Sequence, residues 1–335
     1  MKVPKIKLAQ TIVKLCEFKE IEHIVISPGS RNAPLTIGFS NHNYFKCYSI
    51  VDERCAAFFA LGIAQQKQKP VALVCTSGSA LLNYYPAIAE AYYSQIPLVI
   101  ISADRPSHLI DIGDGQTIRQ ENIFQNHILY SANLKENDSD NNSLKLSKAF
   151  SLLHNVKGPI HINAPFDEPL YETVATMNDF CFIAEESDLQ DTIDYENLAS
   201  QWNSAKKKMI LVGVHSPNAA LEILLDKVAD DPSVLVFTET TSNLYNKRFV
   251  NSIDNLIFNL TEEEFTSLQP DILLTFGGMI VSKKIKKFLR DYSPKEHWHV
   301  NELRAFDTYQ VLSKHLKIDS HSFFKHFCEL VDYDN

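Results

Sequence analysis

Glu53 is the residue of this chain best placed for proton chemistry. It stands in Val51-Asp-Glu53-Arg-Cys-Ala-Ala-Phe-Phe-Ala-Leu-Gly62, where a carboxylate opens an otherwise apolar, small-residue helix that follows a strand. The helix dipole favours a charge in that first turn, while apolar neighbours oppose its hydration. A carboxylate held between those pressures has an adjustable affinity for protons. A helix-start acid that merely complements the dipole satisfies the same residues.

Other loops carry binding chemistry. In Ile26-Ser-Pro-Gly-Ser-Arg-Asn-Ala-Pro34, Gly29 permits a turn that brings Ser30 and Arg31 to a helix N-terminus. Arg31 could grip a carboxylate with two parallel hydrogen bonds, or stand in solvent beside a turn capped by Ser30. The loop Cys75-Thr-Ser-Gly-Ser-Ala80 offers backbone amides to a planar or anionic ligand. It has neither the lysine of a P-loop nor the spaced glycines of a dinucleotide fingerprint. Ala103-Asp-Arg-Pro106 delivers Arg105 to the same edge, with Gln116 a short loop further on. Together, Arg31, Arg105 and Gln116 suit a small molecule with more than one carboxylate. Pairing of Arg105 with Asp104 or another surface acid is the structural alternative.

Two features are weaker. Lys283 and Lys284 open a helix after Gly277-Gly278, where an anion at the N-terminus and a solvated basic face with Lys286, Lys287 and Arg290 both fit. Gly113-Asp-Gly115 and Asn141-Asn142 have the spacing of an Mg²⁺-diphosphate motif. The asparagines sit in the hydrated loop Lys135-Glu-Asn-Asp-Ser-Asp-Asn-Asn-Ser143, so no rigid metal scaffold is expected there.

The elements that position these loops alternate. Strands are expected at His23–Ile26, Lys46–Val51, Val71–Cys75, Leu98–Ser102 and Pro159–Asn163. Helices are expected at Ile6–Phe18, Ala33–Phe39, Glu53–Gln65, Ala80–Tyr93 and Ser143–Val156. Apolar strands without polar alternation, separated by helices, predict an α/β domain with a doubly wound parallel sheet. Ligands of such sheets gather at the carboxyl ends of the strands, where every loop above begins. A second α/β unit is expected from Met209–Val214, Asn218–Ala229, Val234–Thr238, Asp271–Phe276, Ser282–Tyr292 and His297–Val300. The division expected is a domain over 1–180, a linker over 181–200, and a second domain over 201–335.

Composition bounds the partners. The chain has 335 residues, 45% hydrophobic and 22% charged, with a formal net charge of −9. An acidic balance argues against broad nucleic-acid or membrane-surface binding, though local basic spots still hold small anions. Six cysteines (Cys16, Cys47, Cys55, Cys75, Cys181, Cys328) show no CxxC spacing, so buried free thiols in a reducing cytoplasm are expected. No apolar leader or membrane-length stretch is present, which adds to the cytoplasmic expectation.

Taken together, Ser27-Pro-Gly-Ser-Arg-Asn-Ala-Pro34, Val51-Asp-Glu-Arg54, Cys75-Thr-Ser-Gly78, Ala103-Asp-Arg-Pro106 and Gln116-Thr-Ile118 resemble one family in order and spacing. It is the 2-succinyl-5-enolpyruvyl-6-hydroxy-3-cyclohexene-1-carboxylate synthases of menaquinone biosynthesis. The resemblance implies a thiamine-diphosphate enzyme with Mg²⁺ or Mn²⁺, which decarboxylates 2-oxoglutarate and adds the succinyl unit to isochorismate. It implies a pyrimidine-binding domain followed by a Rossmann-like central domain, in a homodimer or homotetramer. Glu53 then matches the acid that hydrogen-bonds the cofactor's aminopyrimidine, while Pro28, Thr76, Ser77 and Gly78 line the cofactor. Ser30, Arg31, Arg105 and Gln116 match positions that hold carboxylates of substrate or product. Lys283 and Lys284 match a basic pair, often Lys-Arg in the family, so Lys284 is a departure that loses bidentate recognition. The third, diphosphate-binding domain of the family, with its metal ligands, has no counterpart in these residues. A truncated form, inactive alone, is the expectation. A non-catalytic α/β binding module that keeps the carboxylate pockets is the alternative.

Overall fold

A computed structural model describes residues 2–177 and 193–333. The chain forms two compact units, Met1–Ser187 and Asp188–Asn335.

In the first unit the strands are β1 (Val3–Pro4), β2 (His23–Ile26), β3 (Lys46–Ser49), β4 (Val71–Cys75), β5 (Leu98–Asp104), β6 (Tyr130–Asn133), β7 (Ile160–Pro165) and β8 (Thr173–Val174). The helices are α1 (Lys7–Phe18), α2 (Ala33–Ser40), α3 (Glu53–Lys67), α4 (Tyr85–Ser94) and α5 (Ser139–Asn155). Six strands make a parallel sheet in the order β3-β2-β4-β5-β7-β6. Alternate residues feed two cores, as the period of two in a strand requires. Ile24, Ile26, Val74, Val99 and Ile101 pack under α1, α2 and α5; Val25, Leu73, Cys75, Leu98 and Ile100 pack under α3 and α4. Each large side chain buried this way contributes about 1.5–3 kcal/mol.

Helix α3 starts where Asp52 caps it, its Oδ1 accepting from Cys55 N at 2.8 Å. Buried Ala56, Ala57, Ala60 and Ala64 let it lie close to the sheet, and left-handed Gln68 ends it. The order of strands reverses between β2 and β4. Their loops therefore meet at the switch point, where open α/β sheets bind ligands. The contact is tight: a Cβ on Gly29 would stand 2.4 Å from Thr76 Cβ.

The second unit has α6 (Tyr195–Ser204), β9 (Lys208–Val212), α7 (Ala219–Val228), β10 (Val234–Thr238), α8 (Ile253–Ile257), α9 (Glu262–Leu268), β11 (Ile272–Phe276), α10 (Lys283–Asp291), β12 (Glu296–Val300), β13 (Leu312–Leu316) and α11 (Ser320–Phe327). Its parallel sheet runs β10-β9-β11-β12-β13. The switch point between β9 and β11 is closed by backbone: Gly278 N donates to Val214 O at 2.7 Å, and a Cβ on Gly213 would fall 1.9 Å from Gly278 O.

Both units are the α/β class with doubly wound parallel sheets that the sequence predicts. Several details differ. Of the interval expected as linker, 181–192 lies outside the described residues and 195–200 is the start of α6, with Leu198 and Ala199 in the second core. The helix expected at Ala80–Tyr93 is a 3-10 segment, Gly78–Tyr84, followed by α4, because Pro86 belongs in a first helical turn. The loop expected through Ser143 becomes helix at Ser139, and Asn142 is buried with its amide bonded to both Lys135 N and Lys135 O. Cys16, Cys75 and Cys328 are buried thiols, but Cys47 and Cys55 are exposed. Cys47 lies on the sheet-edge strand β3 and Cys55 on the outer side of α3, so neither has a core to enter. Cys181 lies outside the described residues.

Candidate functional site

The carboxyl edge of the first sheet brings Glu53, Arg31, Arg105 and the Thr76–Ser79 loop together. Glu53 is half-buried at the first position of α3. Its carboxylate makes no hydrogen bond or ion pair among the described residues. It faces the end of β4: burial raises the proton affinity of the Cys75 thiol and the Tyr84 phenol, and the Glu53 charge adds to both. Tyr84 is fully buried; its hydroxyl donates to Val74 O at 3.1 Å and accepts from Ser27 Oγ at 3.0 Å, tying the first loop to the 3-10 segment.

Thr76 is half-buried, and its Oγ1 accepts from Arg31 N at 3.2 Å. Ser77 and Gly78 are buried, and Ser77 Oγ has no hydrogen-bond partner among the described residues. Gly78 has φ +88°, and a Cβ there would stand 2.9 Å from Gln116 O. Glycine is required there for the positive φ and for the close approach of the Gln116 backbone. Pro28 and Ser30 are exposed on the facing loop.

The two guanidinium groups differ. Arg31 is 5% exposed, and its Nη1 donates to Phe166 O at 2.9 Å while Nη2 stands 3.4 Å from Glu168 Oε1. Burial lowers its pKa, and the like charge of Arg105 lowers it further, against Glu168, Asp167 and Asp114. Arg105 Nη1 stands 3.2 Å from Asp114 Oδ2, and Nη2 donates to Gly115 O at 2.9 Å. Its Nε is buried with no hydrogen-bond partner among the described residues. The acid paired with Arg105 is therefore Asp114, not Asp104. Asp104 is buried, with Oδ2 accepting from Asn163 Nδ2 at 2.7 Å and Oδ1 from Arg105 N at 2.8 Å. Burial raises its carboxyl pKa against those hydrogen bonds.

Gln116 is exposed and left-handed at φ 55°, so its side chain stands apart from the arginines' bonds and its backbone is what meets Gly78. The residue that joins these loops is Gln120, which the sequence reading did not pick out. It is fully buried; its Oε1 accepts from Gly78 N at 2.7 Å, and its Nε2 donates to Asn163 Oδ1 at 2.8 Å and Ala103 O at 3.1 Å. Asn163 Oδ1 also accepts from Ser102 Oγ, which bonds His161 Nε2 at 2.7 Å. His161 is wholly buried, which pulls its pKa down to about 3 and keeps it neutral. Gln120 lay in Arg119-Gln-Glu121, a polar run whose only signal was one uncharged side chain among charges.

Lys283 and Lys284 belong to the second unit and are exposed. The N-terminus of α10 already holds an anion: Glu239 accepts from Val281 N at 2.8 Å and Ser282 N at 2.6 Å. Lys284 Nζ lies 4.0 Å from the Phe258 ring centroid. Asp114, from the Gly113-Asp-Gly115 stretch, serves Arg105 rather than a metal, and no group of three metal-ligating side chains stands together among the described residues.

Comparison with known proteins bears on the chain as a whole. Residues 6–131 match the family described as thiamine pyrophosphate enzyme, N-terminal TPP binding domain. The chain is 59% identical over 97% of its length to a 2-succinyl-5-enolpyruvyl-6-hydroxy-3-cyclohexene-1-carboxylate synthase of Flavobacterium psychrophilum, covering 59% of that protein. It is 57% identical to the synthase of the same name from Flavobacterium johnsoniae over 98% of the chain and 60% of the relative. The Desulfotalea psychrophila synthase is 40% identical over 95% of the chain and 61% of the relative. The chain thus spans about three-fifths of the length of the curated relatives it matches. By sequence the chain is similar over nearly its whole length to part of these 2-succinyl-5-enolpyruvyl-6-hydroxy-3-cyclohexene-1-carboxylate synthases, and its first unit carries the match to the thiamine pyrophosphate enzyme N-terminal domain.

Proposed function

We propose that the first unit holds the aminopyrimidine of thiamine diphosphate and the carboxylates of its substrates, in an enzyme that decarboxylates 2-oxoglutarate and adds the succinyl unit to isochorismate for menaquinone synthesis. The observation that carries this is the meeting, at the carboxyl edge of one sheet, of a half-buried acid without a partner among the described residues, a small-residue loop with an unpartnered Ser77 hydroxyl, and two guanidinium groups.

The residues suit such a cofactor. Glu53 would hold a proton against a ring nitrogen of the aminopyrimidine, and the Thr76, Ser77 and Gly78 backbone with Pro28 would line its ring. Bound thiamine diphosphate supplies an electron sink for decarboxylation of a 2-oxo acid. Arg31 and Arg105, with Ser30 and Gln116 on the open side, would anchor and orient the substrate carboxylates by charge-assisted hydrogen bonds. Mg²⁺ or Mn²⁺ would accompany the diphosphate on ligands other than those described here. A cytoplasmic homodimer or homotetramer is part of the same reading. It is supported by Val51, Phe58 and Phe59, exposed on and before α3, and by the absence of any membrane-length apolar helix among the described residues.

The test is carbon dioxide release from 2-oxoglutarate by the protein that carries this chain. Arg31→Ala and Arg105→Ala should each raise KM for one substrate, by roughly 1.5–3 kcal/mol per lost charge-assisted bond. Unchanged KM values for both substrates in both variants would remove the arginines from the site. A carboxylate-binding module without catalysis predicts retained binding and no release.

A further inference from the structure

Both arginines of the site are already engaged by acids of their own chain. Glu168 Oε1 stands 3.4 Å from Arg31 Nη2, and Asp114 Oδ2 stands 3.2 Å from Arg105 Nη1. These pairs are unequal: the Arg31 side chain is 6% exposed against 72% for Glu168, and Arg105 is 18% exposed against 35% for Asp114. Each cation is also held by a backbone carbonyl, Arg31 by the buried Phe166 O and Arg105 by Gly115 O, next in the chain to Asp114. Arg105 also keeps a buried Nε–H that neither Asp114 nor Gly115 uses. A buried donor left without an acceptor costs about 1–3 kcal/mol, so Arg105 is arranged for one more oxygen than its own chain provides.

We propose that Glu168 and Asp114 are resident stand-ins for ligand carboxylates: they hold Arg31 and Arg105 in binding geometry and are displaced when a dicarboxylate enters. The assignment rests on the reading of the two arginines as the carboxylate anchors. Each acid is the more exposed member of its pair, and water screens the pair from that side, so each stand-in can be displaced. Each also repels or competes with the incoming anion. Entry at Arg105 gains a bond that Asp114 does not make, through Nε, so exchange there favours the ligand. The stand-ins act on selectivity too. A monoanion can displace only one of them, whereas a dicarboxylate of matching length displaces both.

The experiment is titration of the chain with 2-oxoglutarate, followed by calorimetry and by the ¹⁵N signal of the Arg105 Nε–H. Glu168→Gln and Asp114→Asn should each tighten binding about three- to fivefold, the size of one solvent-screened ion pair removed from competition. Asp167→Asn removes a charge that acts on Arg31 without touching it, since Asp167 Oδ1 accepts only from Glu168 N at 2.8 Å. That control should change affinity by less than about twofold, as expected of a screened charge. Equal tightening in Asp167→Asn, or weaker or unchanged binding in the two stand-in variants, overturns the proposal. Binding that is absent in the unaltered chain, or that survives Arg31→Ala and Arg105→Ala, overturns instead the reading of the arginines on which it rests.

Discussion

Gln120 Oε1 lies 2.7 Å from Gly78 N, and through that bond the loop after β4 is tied to the end of β5 and to β7. The loop cannot shift without breaking a fully buried amide from three partners. Gln120 thereby fixes the height of the Gly78 backbone relative to Asp104 and Arg105.

Gln120→Leu keeps the volume and removes all three bonds, leaving Gly78 N–H, Ala103 O and Asn163 Oδ1 to find other partners. The first unit should lose about 2–4 kcal/mol in urea unfolding, more than an exposed Gln→Leu change costs. Gln120→Glu keeps the acceptor for Gly78 but loses the donors, and it should fall in a similar range because it also buries a charge. Loss below 0.5 kcal/mol in both would deny the tie.

Gly29→Ala should destabilise the first unit by about 1–3 kcal/mol, since the new methyl would overlap the Thr76 side chain at its Cβ. Thr76→Ser leaves that Cβ in place and should not rescue the variant, whereas Thr76→Gly should. Rescue by serine would show that the contact lies elsewhere.

Acid should weaken the second unit. Thr275 Oγ1 bonds His297 Nε2 at 2.8 Å and His299 Nδ1 at 2.7 Å, and His297 Nδ1 is buried with no hydrogen-bond partner among the described residues. A proton on that nitrogen would be a buried donor without an acceptor, so His297 donates from Nε2 to Thr275, which in turn donates to His299. Burial pulls both histidines from 6.5 to about 4. Above pH 6.5 both states are neutral and the full stability is present. As pH falls from 6.5 to 4, the unfolded chain takes up protons that the folded chain refuses, and stability drops by about 3 kcal/mol per such histidine. His297→Gln should flatten this slope in thermal unfolding between pH 7 and 4. An unchanged slope would place the acid-sensitive group elsewhere.

Much of the frame was legible before any coordinates. Strands His23–Ile26, Val71–Cys75 and Val234–Thr238 have the bounds that their apolar runs predict, because buried parallel strands leave an unbroken signal. Strand β6, Tyr-Ser-Ala-Asn, was not legible: it is a polar edge strand stabilised by its neighbour rather than by its own composition. Helix α9 did carry a mark, the capping box Thr261…Glu264, with Thr261 N donating to Glu264 Oε2 at 2.8 Å. At the site, the sequence placed both arginines on the right edge but not the acids that meet them, since Glu168 and Asp114 arrive from separate loops. Gln120 was hidden for the same reason. Its three bonds are long-range, and nothing local distinguishes a buried amide from an exposed one.

The most direct test of Glu53 as the proton-holding acid of a thiamine-diphosphate site is proton–deuterium exchange at the thiazolium carbon of cofactor bound to the protein carrying this chain. Glu53→Gln keeps the side-chain shape and should slow exchange by at least about 10²-fold, the contribution expected of a positioned general acid–base group. Exchange at the unaltered rate would contradict the account.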